Sequence, residues 1–175
     1  DITPELAYTT ALSFGKYTNL LSAASPAIHV ILPRFHDLGF RAAQLLEAKK
    51  NATPVRLKAA AHWLQQFDNY TQLVKQYDYW AKHPSHFPLR MLHHDAKASN
   101  ILFDSNTHRV ICPIDFDTTQ PGLFFSDLGD MIRSMVASHP ESERDTTMLE
   151  VRHLMLEAIV QGYQDATHTM WTPME

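Results

Sequence analysis

Apolar residues recur at three- and four-residue steps through the first half of the chain, the spacing of one face of an α-helix. Thr3-Pro4-Glu5 predicts a helix start, with a capping hydroxyl, a proline in the first turn and an acid at the positive end of the dipole. That helix runs to about Ser22. After a break from Pro26 to Pro33, a second helix is expected from about Asp37 to Ala48. Thr53-Pro54 opens the longest pattern. Ala60, Trp63, Phe67, Tyr70, Val74, Tyr77 and Ala81 fall on one face of a single helix of about seven turns, a stripe that reads as core. His83-Pro84 ends it.

From Leu89 the period shortens. Leu89 to Leu92, Ile101 to Phe103 and Val110 to Ile114 are short, β-branched apolar runs separated by polar turns. Asp104-Ser105-Asn106-Thr107 predicts a hairpin loop between the last two. After Pro121-Gly122 the pattern returns to helix from Ser126 to Ala137. A final helix follows from Glu143 to Ala166, apolar at Met148, Val151, Met155, Ile159 and Gly162. The expected fold is mainly α with a small β-hairpin insert. It forms one domain over 1–175, with a helical region over about 4–83, loops and strands over about 89–122, and C-terminal helices over about 126–166.

Composition narrows the function. A 175-residue chain with 45% hydrophobic and 19% charged residues buries a real core. Its net charge of −4 excludes a general nucleic-acid or anionic-membrane binder, which needs a basic excess. No apolar run approaches the roughly 18 residues of a membrane span, and no basic-then-apolar stretch leads to an expectation of secretion. The single cysteine, Cys112, excludes an internal disulfide. These features point to a cytoplasmic protein. The chain starts at Asp1 rather than Met, so it reads as processed or as a piece of something longer. Its five glycines are never closer than Gly122 and Gly129, which excludes both common Gly-rich phosphate loops. The eleven histidines suggest no dedicated transition-metal site, since His93 and His94 are adjacent and His83 and His86 flank a proline-rich turn.

The acidic residues are concentrated. Between Asp95 and Asp130 lie six aspartates (Asp95, Asp104, Asp115, Asp117, Asp127, Asp130) against Lys97 and Arg109, so this window alone carries −4. Short carboxylates on tight loops suit a hard cation such as Mg²⁺. Asp104 is assigned to a turn. Asp127 and Asp130 begin a helix, where they are expected to cap free N–H groups. Asp115 follows an apolar strand, so its charge is expected where that strand leaves the core and needs a partner.

His93-His94-Asp95-Ala96-Lys97-Ala98-Ser99-Asn100 fits the H-x-D-x-K-x-x-N pattern of kinase catalytic loops, and Ile114-Asp115-Phe116-Asp117 follows at the place of a kinase metal-binding aspartate. The chemistry explains the residue types. A hydroxyl receiving a phosphoryl group must lose its proton, and Asp95 is the acceptor expected for it. Lys97 supplies positive charge near the transferred group. Asn100 and Asp115 offer oxygens to Mg²⁺ from two directions, while Asp117 suits a second Mg²⁺ or a substrate hydroxyl. His93 is expected to brace the loop rather than react.

On these motifs the chain resembles the C-terminal lobe of the aminoglycoside phosphotransferase and choline kinase superfamily, which has a protein-kinase-like fold. Within it the sequence is similar to N-acetylhexosamine 1-kinases. The likeness spans about Ala11 to Ala166 and includes Leu102-Phe103-Asp104, Pro121-Gly122, Asp127 to Arg133, and Leu32-Pro33-Arg34-Phe35-His36-Asp37. It departs at Ser126, where that subgroup carries an aromatic.

The resemblance implies an ATP- and Mg²⁺-dependent kinase of a small-molecule hydroxyl, with the anomeric hydroxyl of an N-acetylhexosamine as acceptor. Its helical half would build the acceptor pocket, with His36, Asp37 and Arg133 as substrate candidates. The N-terminal ATP-binding lobe of such kinases is absent, so this chain alone is expected to be inactive and to bind ATP weakly at most. Two other functions are compatible with the sequence. A cationic acceptor, aminoglycoside or choline-like, would suit the acidic window. A non-catalytic binding module would be expected to have lost one of Asp95, Lys97, Asn100 or Asp115, and all four are present.

Overall fold

A computed structural model describes residues 2–24, 28, 30–139, 142–143 and 145–175. Most of the chain is helical, with two small antiparallel strand pairs. It divides into two compact units, residues 1–31 with 89–175 and residues 32–88.

The first unit is organised around helices α1 (Pro4–Ala24) and α7 (His153–Thr167). Ala7, Thr10, Ala11, Phe14 and Thr18 form a buried stripe on α1, and Met155, Ile159, Tyr163 and Thr167 form its counterpart on α7. Two glycines let the helices approach. A Cβ on Gly162 would land on the Tyr8 carbonyl, and one on Gly15 would lie 2.7 Å from Ala166 Cβ. Helix α6 (Phe125–Met135) adds Met131 and Met135 to the same core, and Ala96 and Ile101 enter it from the segment between the strand pairs.

Gly162→Ala is therefore expected to destabilise the protein by about 1–3 kcal/mol, because backbone rather than a flexible side chain must give way. At Gly129, inside α6, a Cβ meets nothing within 4 Å. Gly129→Ala should stabilise by about 0.5–1 kcal/mol through helix propensity. Urea unfolding of the pair checks both signs.

Strand β1 (Arg90–Leu92) pairs with β4 (Gln120–Gly122), and β2 (Ile101–Phe103) with β3 (Val110–Pro113). The hairpin lies where the sequence predicts it. Its turn is held by Asp104, whose Oδ1 accepts from the Asn106 and Thr107 amides and from the Thr107 hydroxyl. Pro121-Gly122 lies in β4, at an edge where a proline's missing N–H is tolerated. Arg90 at the start of β1 forms a buried ion pair with Glu175 and also donates to the Met170 carbonyl.

Two expectations for the first unit are corrected. The final helix starts at His153, ten residues later than the apolar pattern suggests. Asp145 turns the chain by accepting from Thr147, and Glu150 and Arg152 pair their backbones with Ser138 and Val136. Those bonds leave Met148 and Val151 exposed. Strand β3 is only partly a core strand, because Val110 packs against the core while Ile111 is 62% exposed and Cys112 is also at the surface.

The second unit holds α2 (Leu38–Asn51), α3 (Pro54–Ala59), α4 (Ala61–Asn69) and α5 (Thr71–Ala81), with α2 packed against α5. Asp37 and Thr53 cap α2 and α3 through their side chains. The predicted seven-turn helix is broken at Ala60 and Tyr70, where ψ falls close to 0°. The stripe is not a core: Trp63 and Tyr70 are 59% and 56% exposed, and none of the four helices buries a residue fully. Once the helix breaks, residues spaced for one continuous face no longer share one.

Candidate active site

The segment after β1 turns sharply at His94, which has a φ of 64°. Asp127 fixes that turn. From inside α6 its fully buried carboxylate accepts from the His93 amide at 2.9 Å and the His94 amide at 2.7 Å. Asp127 therefore does not cap its own helix, contrary to expectation. Burial pushes its carboxyl up to about 6, with the Asp130 charge adding to the rise and the two amides opposing it.

His93 is completely buried and packs against Phe14, Tyr17 and Phe116. Its Nε2 lies 2.8 Å from the Ile114 carbonyl. A carbonyl only accepts, so Nε2 carries the proton and the ring is a strut between the two loops. The Thr118 hydroxyl ties back to the His93 carbonyl at 2.6 Å, and the Ile114 amide donates to the Asn100 carbonyl at 2.9 Å. Tyr17 stacks on Phe116 and bonds to Thr119 at 2.6 Å. The two motif segments are thus bound to each other and to α1.

The polar groups stand on this frame. Asp95 Oδ2 receives Lys97 Nζ at 2.7 Å and Asn100 Nδ2 at 2.7 Å, and Asn100 Nδ2 also reaches the Asp95 carbonyl. Burial pushes the Asp95 carboxyl up, but the bonds from Lys97 and Asn100 and the Lys97 charge outweigh it, so the group sits below its ordinary value. Lys97 is raised, first by its bond to Asp95 and then by the charges of Asp95, Asp115 and Asp130 around it. Asp115 occupies left-handed backbone at φ 66°, an uncommon conformation for a residue other than glycine. It is exposed, and so is Asp117. Neither makes an ion pair or side-chain hydrogen bond among the described residues.

Direct bonds therefore unite Asp95, Lys97 and Asn100, and His93 braces them. The charges of Asp115 and Asp130 act on Lys97. Arg133 is connected through Asp130, whose Oδ1 it contacts at 3.0 Å (Nε) and 2.6 Å (NH2). Asp117 is not tied to the set by any bond. His36 and Asp37 belong to the second unit, where Asp37 pairs with Arg34 at 2.7 Å and caps the Phe40 amide while His36 packs on Phe35. Asp127, Thr118 and Tyr17 are supports that the sequence motifs do not announce, since each reaches its partner across many residues.

The donors fit a hard cation. With Asn100 Nδ2 engaged by Asp95, the amide oxygen is the atom left for a metal, and Asp115 and Asp117 add carboxylate oxygens. No group of three or more His, Cys, Asp or Glu side chains among the described residues forms a cage. Mg²⁺ is usually held by one or two carboxylates plus substrate phosphates. No described helix is long and apolar enough to cross a membrane.

A carboxylate pinned on one oxygen beside a protonated lysine, with amide and carboxylate oxygens close by, is suited to moving a phosphoryl group onto a hydroxyl. The sequence profile of the phosphotransferase enzyme family (APH) matches residues 3–172, nearly the whole chain, and the protein belongs to that family.

Proposed function

We propose that this chain carries the acceptor and metal loops of an ATP- and Mg²⁺-dependent small-molecule kinase. Its preferred acceptor is the anomeric hydroxyl of an N-acetylhexosamine. The observation that carries the proposal is the asymmetric anchoring of Asp95. Lys97 and Asn100 both bind Oδ2, which leaves Oδ1 to face the acceptor. Asp95 Oδ1 takes the hydroxyl proton as the acceptor oxygen bonds to the γ-phosphorus and the bond to the ADP oxygen breaks. Lys97, kept protonated by its three aspartate neighbours, offers its charge to the moving phosphoryl group. Asn100 and Asp115, with Asp117 alongside, hold Mg²⁺, which neutralises charge on the phosphates.

The aspartate-rich window favours a neutral acceptor once its partners are counted. Asp95 is matched by Lys97, Asp130 by Arg133, Asp127 by two amides and Asp104 by its own turn. Only Asp115 and Asp117 remain to present charge, and both are assigned to the metal. Because the sequence has no Gly-rich phosphate loop, we assign cover of the ATP phosphates to residues outside it and expect this chain alone not to turn over. A protein with one exposed thiol and an ATP substrate fits the cytoplasm.

The test uses the intact parent chain with Mg²⁺ and ATP. ADP release should depend on N-acetylglucosamine or N-acetylgalactosamine. Release only with choline or an aminoglycoside would discard the sugar acceptor, and release with none of them would discard the kinase.

A further inference from the structure

The net charge of −4, which excludes a general binder of anions, is unevenly carried. Residues 32–88, the second compact unit, hold eight lysines and arginines against four acids, while the rest of the chain holds seven against fifteen. Within that unit the excess is concentrated. Lys49, Lys50, Arg56 and Lys58 fall between Glu47 and Asp68 with no acid among them. Salt screens charges beyond about 8 Å at physiological ionic strength, so an approaching surface meets this local balance rather than the net charge.

Local structure turns the four bases outward. Helix α2 ends at Asn51, Thr53 caps the short α3, and the chain breaks again at Ala60, so the bases ride on the corner between α2 and α4. All four are exposed. Among the described residues Lys50 has one ionic partner, Glu47 at 3.4 Å, in a pair open to solvent. Lys49, Arg56 and Lys58 make no ion pair or side-chain hydrogen bond among the described residues. Apolar groups stand open in the same stretch: Val55 is 78% exposed, Trp63 59% and Leu46 49%.

We propose that this corner is a docking surface for an anionic lipid membrane. Cations alone fit any polyanion, and the aliphatic groups single out the lipid. Val55 and Leu46 gain nothing along a phosphodiester backbone. At a bilayer they enter the boundary between headgroups and acyl chains, while the bases meet headgroup phosphates and carboxylates. Trp63, an apolar ring with one polar N–H, suits the same boundary. The surface goes beyond phosphotransfer, and none of its residues belongs to the set around Asp95.

The test is sedimentation of the intact enzyme with vesicles of phosphatidylcholine, with and without added phosphatidylserine. Binding should require phosphatidylserine and fall steeply as salt rises. Lys49→Gln, Lys50→Gln, Arg56→Gln and Lys58→Gln should each weaken partitioning by about fivefold. Arg109→Gln, at the β2–β3 turn, should leave it unchanged. Val55→Ser should weaken binding several-fold without altering its salt dependence. Thermal melts of these variants should match wild type, since none of the side chains is buried.

No sedimentation with either vesicle, equal binding to phosphatidylcholine alone, or binding untouched by the four base substitutions would overturn the proposal. So would tighter binding of single-stranded RNA that ignores Val55→Ser, which would put nucleic acid in place of lipid. Self-association lost in the same variants, without vesicle binding, would make the corner an interface between copies instead. The readout needs no turnover, so it stands or falls separately from the kinase assignment.

Discussion

Asp95→Asn in the intact enzyme should lower kcat by about two to four orders of magnitude, the usual share of a positioned general base, while the KM for ATP and the melting temperature stay near wild type. The substitution keeps the size of the side chain and lets Asn100 keep an oxygen to bind. What it removes is the proton acceptor and half of the Lys97 ion pair. Steady-state kinetics with a thermal melt separate this from unfolding.

The pH profile tests the same assignment. Asp95 sits below its ordinary value because Lys97 and Asn100 favour the carboxylate over the opposing effect of burial. A depressed value keeps the base ionised to lower pH. The acid limb of kcat/KM for the acceptor should therefore fall below the ordinary aspartate value of about 3.9, where protein stability allows it to be followed. In Lys97→Met the main opposing influence is gone and burial acts with less resistance. The limb should move to higher pH. An unmoved limb would mean that another group sets the profile.

The second large effect is expected at Asp127. Asp127→Ala removes the acceptor of two buried amides, and each stranded amide costs about 1–3 kcal/mol. Loss of the turn at His94 should take activity with it, even where the protein remains folded. Asp127→Asn keeps one acceptor oxygen and should cost less. Its pH dependence has a definite sign. The folded-state value of Asp127 is raised to about 6, above the unfolded value near 3.9. The folded state therefore binds the proton more readily, and that contribution is full below pH 4 and lost as pH rises through 6. Urea unfolding of wild type against Asp127→Asn should show the difference shifting in favour of the Asn variant over that interval. A difference constant with pH would mean that Asp127 does not titrate there.

What could be read in the sequence was decided within a few residues. The Asp104 turn, the cap at Thr3 and the helix starts at Asp37 and Thr53 depend on neighbours two to four positions away, and the order of His93, Asp95, Lys97, Asn100 and Asp115 is written in the chain itself. The breaks at Ala60 and Tyr70 carry neither proline nor glycine, so no breaker marks them. A periodic pattern also reports which residues share a face, not whether anything covers it, and Trp63 shows the difference. Asp127 looked like a helix-start acid because half of its meaning lies at His93, more than thirty residues earlier. The late start of α7 follows from backbone pairing between 136–138 and 150–152, which side-chain periodicity does not encode.

The pairing of α1 with α7 also sets an order of events during synthesis. Helix α1 emerges early with Ala7, Ala11 and Phe14 in need of cover, and its partner face follows only after His153. At ordinary elongation rates that interval is on the order of ten seconds. In the meantime residues 32–88, whose contacts are local in sequence, have everything required to form their own unit. The half of the molecule that carries Asp95 and Asp115 must wait for the chain to return. It should therefore be the slower to fold and the more exposed to chaperones and proteases while nascent.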